Sequence, residues 1–225
     1  MSTSKEFYTK LTAEGLSNRK TASQTRSELS VLKKILNKKD KILDLACGYG
    51  RITIPLFRQG YNIDGIDITP SLINKAKKDA LREKLNIKFR VGDMRKLPYK
   101  EKSFDKIICM WSAFLELSRK EDQIKAVREM YRALKDGGSV FLEMAPSLRR
   151  TSGKIVYKDK PEDEIIIKKY VTVGKMDGIE RPVLYKHKKR TLENLLKKAK
   201  IKKYKIGEKE FGWRKRLLVQ FWKIK

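Results

Sequence analysis

Cysteine and histidine are nearly missing from this 225-residue chain, which has two cysteines, Cys47 and Cys109, and one histidine, His187. Both cysteines lie inside apolar runs, neither at the spacing of a metal site or a disulfide framework. A single histidine cannot complete a zinc shell, so no metal is expected. Buried thiols of this kind suit a reducing compartment. No apolar run approaches the roughly 20 residues that span a bilayer, and the polar first 20 residues lack the apolar stretch of a secretory signal. Together these features predict a cytoplasmic protein. Internal repeats and low-complexity linkers are also missing, and the length predicts one domain with a modest insertion. Such a chain can bury enough core to fold without metal or disulfide. Acidic residues are scarce: 27 Asp+Glu stand against 55 Lys+Arg, a net charge of +28. An excess this large attracts polyanions, which makes nucleic acid a candidate partner. The lysines are spread along the whole chain, with short clusters such as 186–190, and ordinary solvated surface positions give the same pattern.

What is present is an alternation of short apolar runs with helical periodicity. Residues 41–46 are almost wholly apolar and stop at a glycine loop, as a strand buried on both faces does. Ile52, Leu56 and Phe57 have helical spacing, and Gly60 closes that helix. Strands are predicted at 61–67, 87–91, 104–111 and 139–144, with helices at 69–84 and 119–135; Asp136-Gly137-Gly138 is expected to break the second helix. The repeated strand–helix alternation points to βαβ units and a parallel sheet.

After Pro146 the pattern changes. Residues 165–173 and 179–187 are β-rich and flank a glycine-bounded turn at 174–178, the signal of a β-hairpin, while Pro182 restricts the second run to a sheet edge. A helix over 191–200 has Thr191 as its expected N-cap. The apolar runs 201–207 and 217–224 are expected to pair antiparallel at the sheet edge. The resulting division is a cap at 1–38, a core at 40–145, a β-rich insertion at 147–190, and a last helix and strands at 191–225.

The stretch from Asp44 to Gly50 joins the first strand to the first helix. Glycines there let the backbone turn sharply and lie close to a flat ligand. Asp44 precedes Gly48 by four residues, Asp67 ends the second strand and Asp93 follows the third. All three fall at or near carboxyl ends of strands, where open parallel sheets bind ligands. Asp67 lies 17 residues beyond Gly50, the position of a carboxylate that accepts both ribose hydroxyls; capping the next helix is the lesser alternative. A dinucleotide fingerprint requires a small third residue where Thr53 stands, and no Gly-Lys-Ser/Thr phosphate loop is present. A carboxylate at Asp44 repels phosphate and suits a cationic ligand, so S-adenosylmethionine (SAM) fits better than NAD.

The runs ILDLACGYGRIT, IDGIDITPSLINKAK, VGDMRKLPYKEKSFDKIICMWSAFLEL and REMYRALKDGGSVFLEM resemble the class I SAM-dependent methyltransferase family, and within it the group that methylates quinones and other small molecules. The likeness covers about 40–145, and TLENLLKKAKIKKYKI resembles the family's last helix and strand. It implies an α/β, Rossmann-like, seven-stranded sheet, mostly parallel with a final antiparallel strand, here with the inserted β-hairpin. By the same resemblance, Asp44, Ala46, Gly48 and Gly50 line the methionine part of SAM. Asp67 takes the ribose hydroxyls, Ile68 packs on adenine, Asp93 accepts from its amino group beside Met94, and Trp111 and Ser112 face the transferring methyl. Ala46 stands where the family most often has glycine.

Methyl transfer from a sulfonium rests largely on holding the nucleophile in line and excluding water. A hydroxyl or ammonium nucleophile also needs a proton acceptor, and Glu116, Glu143, His187 and Tyr8 are the candidates. The acceptor is expected under the N-terminal cap and the hairpin, near Tyr8, Arg19, Arg149, Arg150, Lys154, Tyr170 and Tyr185; the basic residues among them favour an anionic small molecule. An RNA or protein acceptor docked on the basic surface, or a SAM-binding module without catalysis, remain alternatives.

Overall fold

The period-two alternation of β1 (Lys41–Leu45) sends Leu43 and Leu45 to one core and Ile42 to another, so this strand is covered on both faces. The computed structural model describes residues 3–146, 154–158, 169–173, 175–182 and 184–224. β2 (Asn62–Asp67), β3 (Phe89–Val91), β4 (Phe104–Cys109) and β5 (Leu134–Met144) join β1 in parallel. β11 (Lys203–Phe211) and β12 (Arg214–Trp222) complete a seven-stranded sheet in the order β11-β12-β5-β4-β1-β2-β3. β12 runs antiparallel to both its neighbours. The expected α/β, mostly parallel seven-stranded sheet with a final antiparallel strand is therefore present, that strand lying one place in from the edge.

On one face, α5 (Lys120–Ala133) and α6 (Lys189–Lys198) bury Ala126, Val127, Met130, Leu192, Leu195 and Leu196 against the odd-numbered residues of β1 and β4. On the other, α2 (Ala22–Lys33) and α3 (Thr53–Arg58) pack Leu29, Leu32 and Leu56 on Ile42, Ile108 and Phe141. Burying one such aliphatic side chain contributes about 1.5–3 kcal/mol, so these two layers fix the strand register. α4 (Pro70–Arg82) starts with proline in its first turn, where the missing N–H costs nothing, and buries Leu72, Ile73, Ala76 and Ala80. Ahead of the sheet, α1 (Ser4–Ser17) opens with a Thr3/Glu6 capping box and α2 with a Thr21/Gln24 one. α1 is kinked where Thr12 leaves helical geometry at φ 62°, and it packs against α4.

Three expectations need correction. The helix expected over 119–135 ends at Ala133, and Asp136-Gly137-Gly138 forms an irregular entry to β5 instead of the helix stop. Phe104 pairs with Leu134 but Lys106 with Ser139, so the intervening residues bulge. Thr191 is a buried residue inside α6, whose cap is Lys188. The insertion is more than a hairpin: β6 (Lys154–Lys158), β7 (Lys169–Val173) and β10 (Leu184–Lys186) form a three-stranded antiparallel sheet in the order β10-β7-β6. β8 (Lys175–Met176) and β9 (Ile179–Glu180) make the small hairpin beside it, turning at Asp177-Gly178. Pro182 lies between β9 and β10, and β10 is an edge strand as expected.

Candidate functional site

A cavity of about 510 Å³ opens at the carboxyl ends of the parallel strands, roofed by α1. Its size falls in the range of small-ligand sites, roughly 300–1,000 Å³. Of the residues singled out for a cofactor, Ala46, Gly48, Asp67, Ile68, Asp93, Met94 and Trp111 line it. Asp44, Gly50 and Ser112 do not: Asp44 bonds Thr53 of α3, and Ser112 holds the Trp111 turn from behind.

The loop after β1 turns through three left-handed residues, Ala46 (φ 61°), Gly48 (φ 57°) and Gly50 (φ 84°). Ala46 pays the steric cost that glycine avoids in that region. Asp67, at the end of β2, ties the turn down: one carboxylate oxygen accepts from the Gly48 N–H at 2.9 Å, the other from the Thr69 N–H at 2.8 Å. Burial pushes its carboxyl up despite these amides. Asp44 sits beneath, on the α3 side of β1, and accepts from the Thr53 hydroxyl at 2.6 Å. Burial raises its pKa to about 7 against the opposing pull of Thr53 and Arg51. Asp93 is clasped by Arg95, whose guanidinium also reaches Asp122 at 3.1 Å. Partial burial raises the Asp93 carboxyl, but the bonds and charge of Arg95 outweigh it and hold it below the usual range.

The opposite wall is Trp111, which with Ser112 forms two consecutive left-handed residues (φ 62° and 66°) just past β4. Such a pair costs roughly 1–2 kcal/mol per residue and persists only where its surroundings over-determine it. Here Glu143 of β5 accepts the Trp111 N–H at 2.7 Å and forms a buried ion pair with Arg216 of β12. Arg216 also donates to the Ser112 hydroxyl at 2.7 Å, and the Ala145 N–H donates to the same oxygen at 2.9 Å. Lys20 Nζ and Arg51 Cζ lie 4.2 and 5.1 Å from the centroid of a Trp111 ring, a cation–π arrangement. Both cations pair with the buried Glu28 of α2. Burial, reinforced by Arg51, lowers the Lys20 pKa to about 7 against the pull of Glu28.

The four proton-acceptor candidates separate cleanly. Tyr8 of α1 and Glu116, at the end of a 3₁₀ turn (Ala113–Glu116), both line the cavity, and the Tyr8 hydroxyl donates to Glu116 Oε1 at 2.5 Å. Burial pushes the Glu116 carboxyl up to about 7, opposed by the hydrogen bonds from Tyr8 and Ser4. Burial and the facing carboxylate also push the Tyr8 phenol well above its ordinary value. Glu143 is behind the wall, and His187 is buried away from the cavity between Phe114 and Tyr185. Among the expected acceptor contacts, Arg19 pairs with Asp177, and Tyr185 packs on His187. Arg149 and Arg150 lie outside the described residues, as do the side chains of Lys154 and Tyr170. Sequence reasoning missed Arg216, Lys20, Glu28 and Arg51, which support the wall. It also missed the contributions of Leu16, Leu72 and Met110 to the lining.

Comparison with known proteins gives a consistent picture. Residues 42–138 match the family model described as a methyltransferase domain. The demethylmenaquinone methyltransferase of Deinococcus radiodurans is 33% identical over 109 residues, 47% of this chain and 44% of that protein. A ubiquinone biosynthesis O-methyltransferase of Xanthomonas oryzae pv. oryzae is 30% identical over 112 residues, 49% of this chain and 44% of that protein. The chain thus spans about half the length of the curated relatives it matches. In fold, the crystal structure of a SAM-dependent methyltransferase from Clostridium acetobutylicum covers 94% of this chain, and 96% of its own length, with a TM-score of 0.66 at 17% identity. The glycine turn and the acid ending β2 fall within the matched segment, and over that segment the chain is similar to SAM-dependent methyltransferases, whose fold its strand order shares.

Proposed function

We propose that this chain is an enzyme that transfers the methyl group of SAM to a small-molecule acceptor inside the cavity under α1. The observation that carries the reading is Asp67: both of its oxygens are anchored by backbone N–H groups, and it lines the cavity at the end of β2, where a carboxylate can receive a vicinal diol. Ile68 supplies an apolar surface for a flat base, with Asp93 and Met94 beside it. Gly48 and Ala46 bring backbone close to the ligand chain. Asp44 and Gly50 bound the loop that approaches that chain, and Ser112 acts through Trp111. When bound, SAM supplies an electrophilic methyl on a sulfonium. The protein supplies a largely apolar pocket under α1 in which a nucleophile can be held in line with that methyl.

The alternative of a polyanionic acceptor rests on net charge alone, and that charge is not concentrated at the cavity, whose lining carries Asp67, Asp93, Glu116 and Asp122 against Lys5 and Arg95. Calorimetry with SAM and with S-adenosylhomocysteine tests the reading. Binding is expected for the wild type and at least tenfold weaker for Asp67→Ala, while Ile68→Asp weakens it without touching the Gly48 and Thr69 bonds. Folded wild-type protein that binds neither compound refutes it.

A further inference from the structure

The proton of the Tyr8 hydroxyl is committed to Glu116, and the carboxylate has no proton of its own when ionised. What these two cavity-lining groups can still offer a ligand is therefore lone pairs only. Ser4, which also bonds Glu116, uses its hydroxyl proton in the same direction. With Glu116 ionised, this end of the cavity is satisfied only by a hydrogen-bond donor. Charge selects further. Arg95 is already engaged by Asp93 and Asp122, which leaves Lys5 as the other lining cation against Asp67 and Glu116. Arg181 draws on the Glu116 charge from outside the lining and donates to Met176 Sδ. A carboxylate, phosphate or phenolate ligand would face like charge and find no donor on the pair, whereas an ammonium group has three donors for the available lone pairs.

Resting on the methyl-transfer reading above, we infer that the methyl acceptor is an amine, seated on the Tyr8–Glu116 pair, with Glu116 as the group that takes its proton. An ammonium nitrogen has no free pair, so it must first give one proton to the Glu116 carboxylate. The freed pair then forms the N–C bond as the C–S bond breaks and its electrons pass to sulfur. The products are a methylated ammonium and a neutral thioether, and Glu116 returns its proton to water. A carboxyl held up at about 7 by burial is matched to this exchange near neutral pH.

The test is ligand-observed NMR on the full chain saturated with S-adenosylhomocysteine, using isosteric sets: benzylamine, benzyl alcohol and benzoate, and cyclohexylamine, cyclohexanol and cyclohexanecarboxylate. Amines are expected to bind at least tenfold tighter than their alcohol or carboxylate counterparts. Glu116→Gln, which keeps an acceptor for Tyr8, should remove most of that preference while S-adenosylhomocysteine affinity stays within threefold. Methyl-labelled SAM should then label nitrogen in the tightest-binding amine. Preference for alcohols or carboxylates, no amine binding with S-adenosylhomocysteine seated, or an amine preference unchanged in Glu116→Gln would each overturn the inference. Failure of S-adenosylhomocysteine itself to bind would instead overturn the methyl-transfer reading.

Discussion

Glu143 and Arg216 form a unit whose members should be worth more apart than together. The carboxylate is fully buried and the guanidinium nearly so, with 0% and 5% of their side chains exposed. Replacing Glu143 by leucine strands a buried guanidinium and removes the acceptor of the Trp111 N–H. Breaking one side of a buried pair costs roughly 3–5 kcal/mol, and orphaning a buried amide roughly 1–3 kcal/mol. The two overlap, so about 4–5 kcal/mol is expected for Glu143→Leu. Arg216→Met leaves the carboxylate buried with only the Trp111 amide, at about 3–5 kcal/mol. The double variant removes both charges and retains only the lost bonds to Trp111 and Ser112, about 2–3 kcal/mol. Urea unfolding followed by tryptophan fluorescence measures all four corners of the cycle. The expected signature is a double variant more stable than either single one. If its loss instead equals the sum of the two, the side chains act independently, and the account of the Trp111–Ser112 wall as a charge-anchored structure fails.

Three further perturbations follow from the same geometry. The folded-state pKa of Lys20 lies near 7, below its free value of 10.5, so the unfolded chain binds the extra proton between those limits and stability should rise with pH across that window. Lys20→Met should flatten the rise seen in urea titrations at pH 7 and 9, and equal slopes in both proteins would refute the burial of that charge. For Asp44 the sign reverses: a folded pKa of about 7 against 3.8 means that stability falls as pH climbs from about 4 to 7. Asp44→Asn, with Thr53 still able to donate to its carbonyl, should narrow the melting-temperature gap between pH 5 and 7.5, leaving the part due to Glu116. Gly65→Ala places a methyl 2.7 Å from the Phe89 ring and 2.9 Å from Cys47 Sγ. Calorimetric unfolding should show a loss of about 1–3 kcal/mol, largely relieved when Phe89→Leu is added.

The parts legible in the sequence are those whose cause is local. Apolar runs such as 41–46 and 104–111 needed only their own continuity and shortness, and the turn from Ala46 to Gly50 announced itself by its glycines and the acid beyond. The β6 run, KIVYK, is bracketed by lysines and reads as part of a basic loop; only its pairing with β7 makes it a strand. Thr191 carries the side chain of a cap, yet α6 begins two residues earlier because its buried face begins at Thr191 itself. The wall behind Trp111 was illegible for a different reason. Glu143 and Arg216 are separated by 73 residues, and Ser112 and Arg216 by 104. No local pattern marks an arginine inside RKRLLVQFW as a core residue. Among the acids the strand-end positions were correct, but their division into lining (Asp67, Asp93) and supporting (Asp44) depended on which face of β1 Asp44 occupies.

The placement of β12 between β5 and β11 has a consequence for synthesis. A strand formed late in the chain is interior to the sheet, so a nascent polypeptide that has emerged only through β5 presents a long, apolar, unpaired edge. That intermediate also lacks Arg216, and Glu143 would hold its charge unpartnered against the half-built wall. The ligand chamber and the sheet are therefore completed in the same event, the docking of β12. Until then the unpaired edge of β5 is exposed to edge-to-edge association, and ligand binding becomes a reporter of the docking of β12.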